Sequence, residues 1–270
     1  MTSHAELYRV VELNEGAKAV LRESQQVSLR ALDAVVRSSR AGAALRGFAR
    51  DPDRPNHLID TNEYVIRNGA AAIITDPGGQ EVFPAVFTAL SAGFDPRLIT
   101  HIFSSHQDPD VISSLGLWSA FNPKIRCYAS WLWATFIPHY GGEPDTILSM
   151  PDEGMNIELG RCTLSAVQAH YLHSSGNFHL YDPEAKILFS GDVGAALLPA
   201  DANELFVEDF DKHIRHAEGF HRRWMGSNEA KNDWCERIAK LKLEMLCPQH
   251  GAIYRGPDVE RFSSGSPIST

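Results

Sequence analysis

In the stretch Ser104-Ser105-His106-Gln107-Asp108-Pro109-Asp110-Val111, an imidazole and two carboxylates fall within five residues. The apolar run Leu98-Ile99-Thr100-His101-Ile102-Phe103 precedes it directly. Such a run reads as a buried strand, so three metal-ligating side chains sit on the loop where it ends. The pattern recurs downstream. Strand-like runs lead into His170 and His173, into Asp192, and into His250 in Pro248-Gln249-His250-Gly251. A fold that ends these strands at one edge gathers three Asp and three His there, which is the donor set of a two-metal site.

Each donor also has a blander reading. A single His at a strand end is commonly a hydrogen-bonded structural residue. His106, however, shares its loop with Asp108 and Asp110, and Pro109 restricts the backbone between them. Polar groups so crowded repel, or need many donors, unless a cation joins them. Asp192 could cap a helix. A carboxylate has two oxygens and can instead bridge two cations, and that is the role read for it. Strand-end placement admits either His170 or His173. His101 and His179 lie within strands and read as structural. His213, His216 and His221 fall in a charged helical stretch and read as solvated surface.

Periodicity and turn residues set the rest. Hairpins are expected over 7–22 and 64–76, helices over 82–92, 111–121 and 131–136, and strands at 98–103 and 125–129. Val27, Leu29, Leu32, Val35 and Val36 recur at near-helical spacing, so a helical insertion is expected over 23–50. In the second half, strands are expected at 162–167, 178–181, 187–190 and 244–247, and two helices across 209–243. The tail 257–270 reads as frayed. Strands mostly in hairpins, interspersed helices and two halves of like pattern point to an α+β fold. The expected form is an αββα four-layer sandwich, a single domain over 1–270.

A net charge of −9 argues against nucleic acid or an anionic membrane surface as partner. No apolar stretch approaches the roughly 20 residues of a membrane span, and no secretory signal is visible. Cys127, Cys162, Cys235 and Cys247 lack C-x-x-C spacing and read as idle thiols. A cytoplasmic protein is expected.

From about Tyr64 to Gly256 the chain resembles the metallo-β-lactamase fold superfamily. Hydrolases of that superfamily usually show His-x-His-x-Asp-His, whereas this chain reads His106-Gln107-Asp108-Pro109-Asp110-Val111. A carboxylate at the second His position resembles the branch of flavodiiron proteins and stand-alone oxygen-binding diiron proteins. Leu172-His173-Ser174-Ser175-Gly176-Asn177, Phe189-Ser190-Gly191-Asp192 and Cys247-Pro248-Gln249-His250-Gly251 resemble that branch too. The resemblance selects His173 over His170. It implies His106, Asp108, His173 and a bridging Asp192 around one metal, and Asp110, Asp192 and His250 around the other. Val111 stands where a further His often binds, which leaves that second metal room for a small ligand.

Carboxylate-rich sites with open positions suit iron or manganese better than zinc. Two iron ions are therefore expected, with zinc or manganese as alternatives. The expected function is that of a non-haem diiron protein binding, or reducing, O2 or NO, as a sensor or stand-alone module. The chain ends about 20 residues after His250 and shows no Gly-rich phosphate loop, so no flavin is expected within it. Reduction would then draw on a separate electron-transfer or signalling protein. A homodimer is also expected. The rival readings are a dinuclear hydrolase of a phosphodiester, thioester or related ester, with Asp110 orienting the nucleophile, and a non-catalytic metal-switched regulatory module.

Overall fold

The computed structural model describes residues 61–264 apart from 69, 92–94 and 200–203, together with the backbone of three earlier strands. Those strands are β1 (Tyr8–Asn14), β2 (Ala17–Arg22) and β3 (Ala31–Ser38). Then follow β4 (Thr61–Asn68), β5 (Ala71–Thr75), α1 (Phe83–Ser91) and β6 (Ile99–Phe103). Next come α2 (Pro109–Ile112), α3 (Leu115–Phe121), β7 (Arg126–Ser130) and β8 (Ile147–Met150). The second half holds β9 (Met155–Leu159), β10 (Cys162–Gln168), β11 (Phe178–Asp182) and β12 (Ile187–Gly191). It closes with α4 (Phe210–Trp224), α5 (Asn228–Ile238), β13 (Met245–Pro248), β14 (Tyr254–Arg255) and α6 (Pro257–Ser263).

Among the described residues the strands form two sheets, one ordered β1 through β8 and the other β14-β13-β12-β11-β10-β9. Period-two alternation explains why each sheet is covered on both faces. Tyr64, Ile66, Ile73, Phe103 and Tyr128 of the first sheet join Leu164, Leu180, Ile187, Phe189 and Cys247 of the second in a shared inner core. Their neighbours Val65, Ile74, Ile102 and Cys127 point the other way, into a cluster with Val86, Leu90, Leu115 and Trp118. Likewise Leu188, Leu246 and Tyr254 face out, towards Phe210, Ala217, Phe220, Trp234 and Phe262. Each fully buried apolar side chain stabilises the fold by about 1.5–3 kcal/mol, so neither sheet could leave its outer face bare. The result is the expected α+β sandwich, helix–sheet–sheet–helix.

Four local expectations are corrected. Residues 31–38, read as helix, pair antiparallel with β2 and β4 as β3. Short apolar runs do not distinguish helix from buried strand, and the pair Val35-Val36 is β-branched; the rest of 23–50 lies outside the described residues. Residues 131–136 form successive turns rather than a helix. The stretch 257–263 is not frayed: Val259 and Phe262 anchor α6 in the outer core. Strand pairing is also less hairpin-like than expected, since β5-β6-β7-β8 and β12-β13 are parallel. This last feature positions the site, because the parallel strands β6, β12 and β13 lead into the loops that bear His106, Asp192 and His250.

Candidate metal centre

The loop after β6 is held before any metal is considered. Ser104 N donates to Tyr128 O, and Ser105 N donates to Asp76 Oδ1 at 2.7 Å. Ser105 Oγ lies 2.9 Å from His106 Nδ1, which leaves Nε2 as the inward nitrogen. Pro109 opens α2 directly behind Asp108, and Asp110 falls in its first turn. His173 sits in the turn between β10 and β11. There Tyr171 and His173 both have positive φ, 64° and 78°, a conformation that costs non-glycine residues about 1–2 kcal/mol each. The Asn177 side chain donates to Leu172 O, and Tyr171 N to Ser174 O, fixing that turn. Gly191 closes β12; a Cβ there would lie 2.7 Å from Ser105 Oγ, so glycine permits the Asp192 loop to approach the His106 loop.

The six residues picked out in the sequence come together. His173 Nε2 is 2.8 Å from Asp108 Oδ2 and 3.6 Å from Asp192 Oδ2. His106 Nε2 is 3.7 Å from Asp108 Oδ2 and 3.8 Å from Asp192 Oδ2. His250 Nε2 is 3.2 Å from Asp192 Oδ1 and 3.4 Å from Asp110 Oδ2. Asp192 thus turns one oxygen to each half of the cluster. His106, Asp108 and His173 each place a donor atom within 4.8 Å of the others.

Burial and charge fit a cation. His106 Nε2 is buried without a hydrogen-bond partner, an arrangement that costs free energy unless something else satisfies it. Burial opposes the charge on Asp192, yet His250, His106 and His173 outweigh it and hold the carboxyl well below its ordinary range. Burial likewise opposes a charge on His250, but Asp192 and Asp110 overcome it and raise that imidazole well above its ordinary value. His173 is raised against its own burial by Asp108 and Asp192. Burial pushes Asp76, beneath the loop, up to about 6. The carboxylates therefore concentrate a demand for positive charge at one buried point.

The surroundings were less legible. His170 turns away, with Nε2 3.0 Å from Asp152 O and its ring edge-on to Phe178. His179 is structural as expected, accepting the Trp234 indole N–H at 2.7 Å. The reading of the α4 histidines as solvated surface is corrected for two of them: His213 is buried beside Tyr254, and His221 is wholly buried. His221 accepts Gly194 N–H at 3.0 Å and lies 2.7 Å from Ala217 O, bracing the turn after Asp192. Their spacing with Ala217 and Phe220 on one helix face was the available signal. Gln249 was also missed. It ties three loops together through Gly191 O, Asp110 O and Asn62 N–H. Phe220 and Trp224 form an aromatic wall, their ring centroids 6.1 and 5.5 Å from that of His173.

A two-sheet sandwich that gathers His and Asp donors on one edge defines a metallo-β-lactamase-fold protein. Comparison with known families narrows this: residues 59–251 match the model described as ODP family beta lactamase, and the chain belongs to that family. A structure described as the peroxy diiron species of chemotaxis sensor ODP is 40% identical, covering 77% of this chain and 87% of its own, with a TM-score of 0.71. The apo state of chemotaxis sensor ODP from T. denticola is 34% identical, covering 95% and 92%, also at 0.71. A flavo di-iron protein variant from Thermotoga maritima shares the fold at 22% identity and a TM-score of 0.72, with 93% of this chain and 61% of that one covered. Diflavin flavoprotein A 1 of Synechocystis is 27% identical over 169 residues, 62% of this chain. The chain spans half or less of the curated relatives it matches, 49% of one and 29% of the other.

Proposed function

We propose that this chain is a non-haem diiron protein that binds O2 or NO, acting as a sensor or stand-alone diiron module. The observation that carries the reading is Asp192, which presents separate oxygens to His173 and to His250. The 40% identity to a chemotaxis sensor characterised with a diiron centre supports iron as the metal. In this reading His106, Asp108 and His173 hold one ion, Asp110 and His250 hold the other, and Asp192 joins them. Three carboxylates against three imidazoles suit iron, with manganese next and zinc last. When bound, ferrous iron supplies electron density to a diatomic ligand, which redox-inert zinc cannot do.

The chain's own residues set the conditions. Asp108, Asp110 and Asp192 offset most of the dication charge and leave little electrostatic pull on an anionic substrate. Phe220 and Trp224 give the mouth an apolar side, where a small non-polar gas loses less by leaving water than a phosphodiester would. We place the protein in the cytoplasm as one domain, a homodimer working with a separate signalling or electron-transfer protein. No helix among the described residues is long and apolar enough to cross a membrane.

The test is direct. Protein reconstituted anaerobically should take up about two iron ions per chain, measured by elemental analysis. Oxygen or NO should then change its near-ultraviolet or visible absorption. A flat spectrum, or a strong preference for zinc, would end the proposal. Turnover of a phosphodiester or thioester that Asp110→Ala abolishes would favour the hydrolase instead.

A further inference from the structure

Asp108 is gripped from both sides. Its Oδ2 faces His173 Nε2 at 2.8 Å, and its Oδ1 accepts the side-chain amide of Gln107 at 3.0 Å. Gln107 Oε1 in turn accepts the Ser174 hydroxyl at 2.7 Å, and Ser174 Oγ accepts the indole N–H of Trp133 at 3.2 Å. Tyr140 also donates to Gln107 O at 3.2 Å. The chemistry of the indole end fixes the sense of this chain. Indole nitrogen only donates, so Ser174 Oγ accepts there and its own proton is free for Gln107 Oε1. Gln107 must therefore turn its NH2 towards Asp108, and the Ser174 proton must point at Gln107.

The packing is committed to this arrangement. A Cβ at Gly176 would lie 2.9 Å from Trp133 Nε1 and 2.6 Å from Ser130 Oγ, so the indole occupies space that only glycine leaves. Ser174 is itself buried.

We infer that Gln107 is a positioning residue, locked by Ser174 and Trp133, that makes Asp108 present Oδ2 alone to the metal centre. The inference deepens the diiron reading and rests on it. The chain also links the centre to residues 131–140, which carry the exposed side chains of Trp131 and Phe136. Hydrogen bonds in series polarise one another, so a change at Asp108 is felt at the Trp133 indole.

The experiment titrates metal-free protein with Co2+, whose visible d–d bands report the number and geometry of donors. Gln107→Leu, Trp133→Phe and the double variant are compared with wild type. Trp131→Phe is the control, because it removes an indole N–H bonded to Asp152, outside this chain. Gln107→Leu and Trp133→Phe should each weaken Co2+ binding roughly tenfold and shift the bands in the same direction. The double variant should be no worse than the poorer single one, since members of one network are not additive. The control should match wild type. Wild-type spectra in Trp133→Phe, or additive losses in the double variant, would overturn the inference. Should Trp133→Phe not fold, Ser174→Ala removes the middle link and is read by the same criteria. A wild-type chain that takes up no Co2+ would sink the metal reading, and this inference with it.

Discussion

Asp192 Oδ1 lies 3.2 Å from His250 Nε2, while the other oxygen of the same carboxylate faces the His106 and His173 side of the cluster. One side chain therefore joins donors drawn from both sheets. Asp192→Asn keeps the shape and removes the charge that both sides share. Iron per chain should fall from about two to below one, measured by elemental analysis after anaerobic loading. Retention of both ions would remove Asp192 from its bridging place.

His173→Ala acts on one side only. It takes away one of two imidazoles there and leaves Asp110, Asp192 and His250 intact. About one iron per chain should remain, and the O2-induced absorption should disappear with the lost ion. Loss of both ions together would show that the two positions fill as a unit.

Val111 is fully buried in the outer cluster with Ile112, Leu115 and Trp118. Val111→His is the substitution that the superfamily pattern recommends for an extra ligand. Here it inserts an imidazole into apolar packing. Metal-free protein should lose about 1–3 kcal/mol, read as a lower midpoint of thermal unfolding. An unchanged midpoint would mean the new side chain escapes that cluster.

His179 gives a pH dependence. Burial pushes its pKa from 6.5 down to about 3. Between those values the unfolded chain binds a proton that the folded chain refuses. Stability from this group is therefore complete above about pH 6.5 and declines as pH falls towards 3, by up to about 1.4 kcal/mol per pH unit. His221, pushed down to about 4 by burial, adds a second term of the same sign. His179→Gln keeps an acceptor for Trp234 and should flatten the acid limb in denaturant titrations. An identical slope in the variant would mean that His179 takes up its proton in the folded state.

Much of the candidate cluster was legible because its chemistry is local. His106, Asp108 and Asp110 share one tight loop, and Asp192 and His250 each follow a buried strand at once. The His170 and His173 pair was not separable by position, because a backbone with φ of 78° decides which ring turns inward. Residues 31–38 misled because an apolar pattern of that length serves helix and strand alike, and only pairing with β2 and β4 distinguishes them. Trp133 carries no sequence signature, and Ser174 stands out only as a neighbour of His173 in its stretch. Their link to Gln107 is a through-space contact, 67 residues apart in the Ser174 case. The two inward rings of α4, His213 and His221, were hidden among charged neighbours that point to water.

The donors of the centre are spread over more than half the chain, from His106 to His250. A ribosome delivers them in that order. Until the last strand pair has emerged and docked, the first loop offers only a weak, solvent-washed hold on a cation. Capture of the proposed ions would thus wait until the chain is made as far as β13 and His250, and products stalled or clipped before that point would remain unloaded.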